Sequence, residues 1–148
     1  MAYEMSLDIA GLEELERDLT KAIKKCPVQA KETLNQLGND FRKSGRKRGK
    51  AKLRPHKRTA EQKNKSINAK WGKKVVDDSL GMTVLVYNSA KHFHLIENGH
   101  NMVNKNGQTV DFIRGYHIME ETKNEYQSIV PERFQEMVDD ILKGCDLD

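Results

Sequence analysis

Apolar residues recur with changing period along the chain, and each period predicts a different element. Tyr3, Met5, Leu7 and Ile9 alternate, as a short lead-in strand would. Leu12, Leu15, Leu19 and Ile23 then recur at steps of three and four, the period of a helix with one apolar face. Asp8 or Gly11 can begin that helix, and the Cys26-Pro27 step is expected to end it. Pro27 can open a second helix, because the N–H it lacks would go unpaired in a first turn anyway. Ala30, Leu34, Leu37 and Phe41 form that helix's apolar face. The expectation is a helix pair, hairpin-like or bent, packed on a sheet.

Beyond Phe41 the apolar pattern stops. Residues 44–70 contain Leu53 and Ile67 as their large aliphatic residues, together with Gly45, Gly49 and Pro55. A segment this polar buries too little surface to offset its ordering entropy, so it reads as a long mobile loop. From Trp71 the pattern resumes. Val75-Val76, then Met82, Val84 and Val86 interleaved with Leu85 and Tyr87, predict two strands joined near Asp77-Asp78-Ser79. The second is apolar on both sides, as a central strand is. Residues 91–99 predict a short helix or turn ending at Gly99. Met102-Val103 and residues 109–113 flank Asn106-Gly107, a strong hairpin signal. The last element, residues 116–143, carries Met119, Tyr126, Val130, Met137 and Ile141 at mostly helical spacing. Pro131 is expected to kink or split it, and Gly144 sits where a C-terminal cap would. The fold class is α+β: a helix pair and a long C-terminal helix on a small, mostly antiparallel sheet. With 148 residues, a single domain over 1–148 is expected, carrying a basic loop at about 44–70.

Charge sharpens this picture. Of 26 Lys/Arg and 22 Asp/Glu, fifteen and one fall between Arg42 and Lys74, a local +14 that leaves −10 elsewhere. An acidic body with a basic strip suggests an interaction segment for a polyanion. Arg46, Lys47, Arg48, Lys50, Arg54, Lys57 and Arg58 are the contact candidates, facing DNA or an acidic protein surface. No aromatic lies between Phe41 and Trp71, which argues against base stacking. The strip also lacks the apolar spacing of a recognition helix, so contact without sequence preference is expected. No run of about 20 apolar residues is present to span a membrane, and the first residues lack the layout of a signal peptide. Cys26 and Cys145 fit no metal spacing and read as two reduced thiols of a protein made in a cytoplasm.

Candidate chemistry is sparse. His92, His94, His100 and Glu97 lie within nine residues, and a His-x-His pair can ligate zinc. A helical turn whose polar groups cap or pair locally explains them as well, and no Cys or Asp nearby completes a ligand set. Asp77-Asp78, Glu120-Glu121 and Asp139-Asp140 read as solvated pairs. Gly45, Gly49 and Lys50 fail the order of a phosphate loop. We therefore expect no catalytic residue, no metal and no cofactor, and a chain that is not an enzyme.

Residues 84–100, Val-Leu-Val-Tyr-Asn-Ser-Ala-Lys-His-Phe-His-Leu-Ile-Glu-Asn-Gly-His, resemble the middle of the tail-component family of siphophages. The match rests on a strand ending in Tyr-Asn, a His-rich turn, and Glu-x-Gly. Downstream, Gly115-Tyr116-His117-Ile118-Met119-Glu120 resembles that family's Gly-x-His-x-Met/Leu element, which opens a final helix. A Pro-x-Asp-Thr-Gly-like turn carried by many relatives is absent from residues 53–68. The resemblance implies a neck or tail-completion protein at the head–tail interface of a virion. It would be a ring of six or twelve copies contacting connector (stopper) and tail proteins, with DNA passing through. It singles out Tyr87, His94, Glu97, Gly99, Gly115 and His117 as structural or assembly residues. Among them Gly99 would serve an unusual turn, and Glu97 a cap or an intersubunit pair. The alternative is a small basic nucleic-acid-binding or toxin-like RNA-targeting protein, which sequence-specific binding or RNA cleavage would reveal.

Overall fold

The computed structural model describes residues 9–53, 66–79 and 81–145, with side chains from residue 13 onward. The fold is α+β, in the order α1 (Ile9–Lys52), a 3-10 turn (Ile67–Ala69), β1 (Trp71–Asp78), β2 (Gly81–Asn88), α2 (Phe93–Asn98), β3 (Gly99–Val103), β4 (Thr109–Arg114) and α3 (Ile118–Lys143). The expected lead-in strand lies outside the described residues, apart from Ile9, which is helical.

Two corrections concern α1. The expected helix pair is one helix of 44 residues that runs straight through Pro27. Pro27 leaves the Ile23 carbonyl unpaired, and Ile23 is 71% exposed, so water can serve that carbonyl. Ala22 and Ala30 pack against α3 on either side of the proline. The helix also continues past Phe41, so residues 44–52 are helical and not loop. Gly45 and Gly49, read as loop formers, instead extend the face begun by Leu34, Gly38 and Phe41. A Cβ on Gly45 would fall 2.6 Å from the Trp71 ring, and one on Gly49 would fall 2.4 Å from Asn68 Oδ1. Small residues at helical spacing let the sheet and the 3-10 turn sit directly on the helix backbone. Residues 54–65 of the expected loop, with Arg54, Lys57 and Arg58, lie outside the described residues.

α3 packs antiparallel along α1. Arg48 meets Thr122, Ser44 meets Tyr126, Asp40 meets Arg133 and Lys25 meets the Gly144 carbonyl. Ala22, Met137, Ile141 and Cys145 form the buried cluster at one end, with Ala30 and Phe134 beside it. Phe41 meets Tyr126 edge-on at 5.1 Å further along. Pro131 neither splits α3 nor ends it. Gly144 caps the helix with its N–H on the Asp140 carbonyl, but in right-handed backbone geometry.

β1 and β2 form one antiparallel hairpin, with Trp71 opposite Asn88 and Asp78 opposite Gly81. Its inner face lies on α1, where Lys73 Nζ donates to the Asn35 carbonyl and side-chain oxygens and Val84 abuts Gly38. The expectation of a central strand is not met: among the described residues β2 pairs with β1 alone. Its outer residues Leu85 and Tyr87 are about half exposed. β3 and β4 form a second, separate hairpin closed at the predicted Asn106-Gly107, where Gly107 has φ +77°. Asn104 Oδ1 holds that turn by accepting the N–H groups of Asn106 and Gln108.

Candidate assembly junction and basic helix face

The two segments singled out by sequence, 87–99 and 115–120, meet in space at the start of α3. The α2 helix turns into β3 at Gly99, whose φ of +82° is a conformation that side chains resist. A Cβ there would fall 2.4 Å from the Ile113 carbonyl oxygen and 2.8 Å from Gly115 N. One on Gly115 would fall 2.2 Å from the Glu97 carbonyl oxygen. The two glycines thus let the ends of the β3–β4 hairpin close tightly on α2. Tyr116 N–H donates to the Ile96 carbonyl at 2.7 Å and His117 N–H to the Glu97 carbonyl at 3.1 Å, which binds the exit strand to the same turn.

Glu97 completes the junction. Its carboxylate is buried at 8% exposure and accepts the backbone N–H of Met119 at Oε2 and of Glu120 at Oε1, each at 2.9 Å. Those donors lie in the first turn of α3 and have no partner within the helix, so a carboxylate there satisfies two orphans and complements the helix dipole. Of the two expected roles for Glu97, capping is the one observed. His117 sits at the N-cap position with φ +49°, and its Nδ1 lies 2.8 Å from Glu120 Oε2. Ile118 and Thr122 behind it are fully buried.

The other singled-out residues stay apart from this junction. His94 is exposed on α2, and Tyr87 lies on the outer face of β2 with its ring over Gly72. Among the described residues no three His, Cys, Asp or Glu side chains converge as metal ligands. Phe93, between two of the histidines, packs edge-on against Trp71 at 5.6 Å.

The basic strip divides into two faces, which composition alone did not separate. Arg48 is clamped to α3: Nη1 donates to Thr122 Oγ1 at 2.6 Å and Nη2 to Glu125 Oε2 at 2.8 Å, with Nε 3.4 Å from Glu121. Lys52 pairs with Glu121 and donates to the Tyr116 carbonyl at 2.9 Å. The hydrogen bond from Lys52 holds the Glu121 carboxyl below the usual carboxylate range, helped by the charges of Lys52, Arg48 and His117. These cations are committed within the molecule. Arg46 is half-buried, and its Nε lacks a hydrogen-bond partner among the described residues. Lys43, Lys47 and Lys50, at steps of four and three, are exposed and form one solvent stripe opposite the glycine face. The signal missed at sequence level was phase: Gly38, Gly45 and Gly49 share one side of the helix, and Arg48 and Lys52 flank it.

The β3–β4 hairpin leaves the junction with little covering it. Val103, Val110 and Phe112 are 56–58% exposed, and Met102 and Ile113 about 40%. Comparison with protein-family models, with curated proteins and with solved structures finds no match to this chain.

Proposed function

We propose that this chain is a structural ring protein of the phage head–tail junction, seated between capsid connector and tail tube with DNA passing through its centre. The observation that carries the reading is the junction itself. Four of the six residues that the tail-component resemblance singles out, Glu97, Gly99, Gly115 and His117, root an exposed apolar hairpin on α3. A protein whose work is assembly needs such a rigid root with an uncovered arm. The Lys43, Lys47 and Lys50 stripe adds a sequence-blind surface for DNA or an acidic neighbouring ring.

Electron microscopy of the purified protein, alone and with isolated connectors, tests the reading. Rings of six or twelve copies that cap connectors are expected. A protein that never joins connectors, and instead cleaves RNA or binds one nucleic-acid sequence, would overturn it in favour of the toxin-like alternative.

A further inference from the structure

A strand with apolar residues on both faces is built to be covered on both sides and paired on both edges. β2 has neither condition met among the described residues. Val84 and Val86 face α1, Leu85 and Tyr87 face outward, and β1 occupies one edge. The other edge borders an apolar groove of about 250 Å³, lined by Leu34, Leu37 and Phe41 of α1, Val84 and Val86 of β2, and Tyr126 and Val130 of α3. β1 supplies no lining residue, so the groove runs along the side of β2 that β1 leaves open. An unpaired edge beside an apolar trough is a template for an added strand.

The same molecule carries a matching strand. The β3–β4 hairpin keeps five apolar side chains 39–58% exposed, and a two-stranded hairpin is marginal on its own. Its five partly exposed apolar residues leave roughly 400 Å² uncovered, a patch of the size that is often an interaction site on a soluble protein. Side chains alone fall short of the ~800 Å² per partner of a stable interface, so backbone hydrogen bonds to the β2 edge must supply the rest. The hairpin lies exposed and not in its own groove. We infer that the β3–β4 arm of one copy seats in the β2-edge groove of a second copy, adding strands to the β1–β2 hairpin. Arm and groove are different surfaces of the chain, so the contact is head-to-tail and repeats from copy to copy until a ring closes. The inference deepens the self-association in the ring reading and does not depend on its place in a virion.

Light scattering across a concentration series, with two variants, tests it. Phe112→Asp alters an exposed arm residue and Val130→Lys a part-exposed groove residue on α3. Each alone is expected to weaken association more than about tenfold. Mixed, they should form a one-to-one pair and stop there. The Val130→Lys copy keeps a sound arm, the Phe112→Asp copy keeps a sound groove, and no second contact remains. Hydrogen exchange on the unaltered chain gives a readout independent of any folding defect: every second amide of β2 should gain protection as association proceeds. Parent-like assembly by both variants, a mixture that stays monomeric, or a parent chain that is monomeric at every concentration would each overturn the inference. If such a chain still forms rings on connectors, the head–tail reading stands without this interface. If the variants behave as expected but the protein never joins connectors, the interface stands and the head–tail reading falls.

Discussion

At the scale of single residues, Glu97 concentrates the most consequence in one side chain. Removing its carboxylate in Glu97→Ala strands two N–H groups at the start of α3 and should cost about 2 kcal/mol in urea unfolding. Glu97→Gln, which keeps one acceptor, should cost less. Gly115→Ala is expected to be worse than either. Its new methyl would meet rigid backbone at 2.2 Å, so the strand exit must shift, and a loss of roughly 3 kcal/mol or more should appear in the same melts. Glu121 makes stability depend on pH. Its folded pKa is depressed, chiefly by the Lys52 hydrogen bond, so it stabilises the fold above its unfolded value and stops doing so as pH falls through the folded one. Glu121→Gln should therefore be less stable than the parent at neutral pH, and the gap should close in strong acid. A gap unchanged at low pH would show that the carboxylate's charge is irrelevant.

At the scale of elements, α1 is held by its neighbours against its own local preferences. Pro27 removes one N–H from the ladder, and its position between Ala22 and Ala30 makes the break tolerable only because both sides pack on α3. Pro27→Ala should restore the hydrogen bond to the Ile23 carbonyl, raising helicity by circular dichroism and stability by up to ~3 kcal/mol. A destabilised variant would mean that the proline shapes a bend on which the packing with α3 depends. The β3–β4 hairpin is the opposite case. Its turn is specified locally by Asn104 and Gly107, but its large apolar side chains stay 39–58% exposed.

At the scale of the whole molecule, the +14 strip is not one surface. Lys43, Lys47 and Lys50 are exposed to a polyanion, Lys43 with a loose 4.0 Å pair to Asp40, whereas Arg48 and Lys52 neutralise Glu121 and Glu125. Changing the first three to Gln should lower the log–log salt slope of duplex binding by up to about 2.7 and leave the melting temperature alone. Changing Arg48 and Lys52 to Gln should do the reverse: lower stability with the slope unchanged. Equal effects from both sets would return the strip to a single undivided patch. Substituting all seven expected contact residues together would lower stability as well as polyanion binding, because Arg48 is among them.

The sequence by itself determined what short-range physics controls. Hydrophobic period placed β1, β2, the β3–β4 hairpin and α3. Asn-Gly chemistry placed the hairpin turn, and the family resemblance marked Gly99 for an unusual turn and Glu97 for a cap or an intersubunit pair. Tertiary structure decided what depends on remote surfaces. Whether Pro27 ends a helix depends on α3 lying across both sides of it. Whether Gly45 and Gly49 mean loop or close packing depends on Trp71 and Asn68 arriving against them. Which lysines and arginines remain free depends on where Glu121 and Glu125 fall, some seventy residues away in sequence. Local propensity differs between such alternatives by a few kcal/mol at most, and long-range packing is large enough to choose between them.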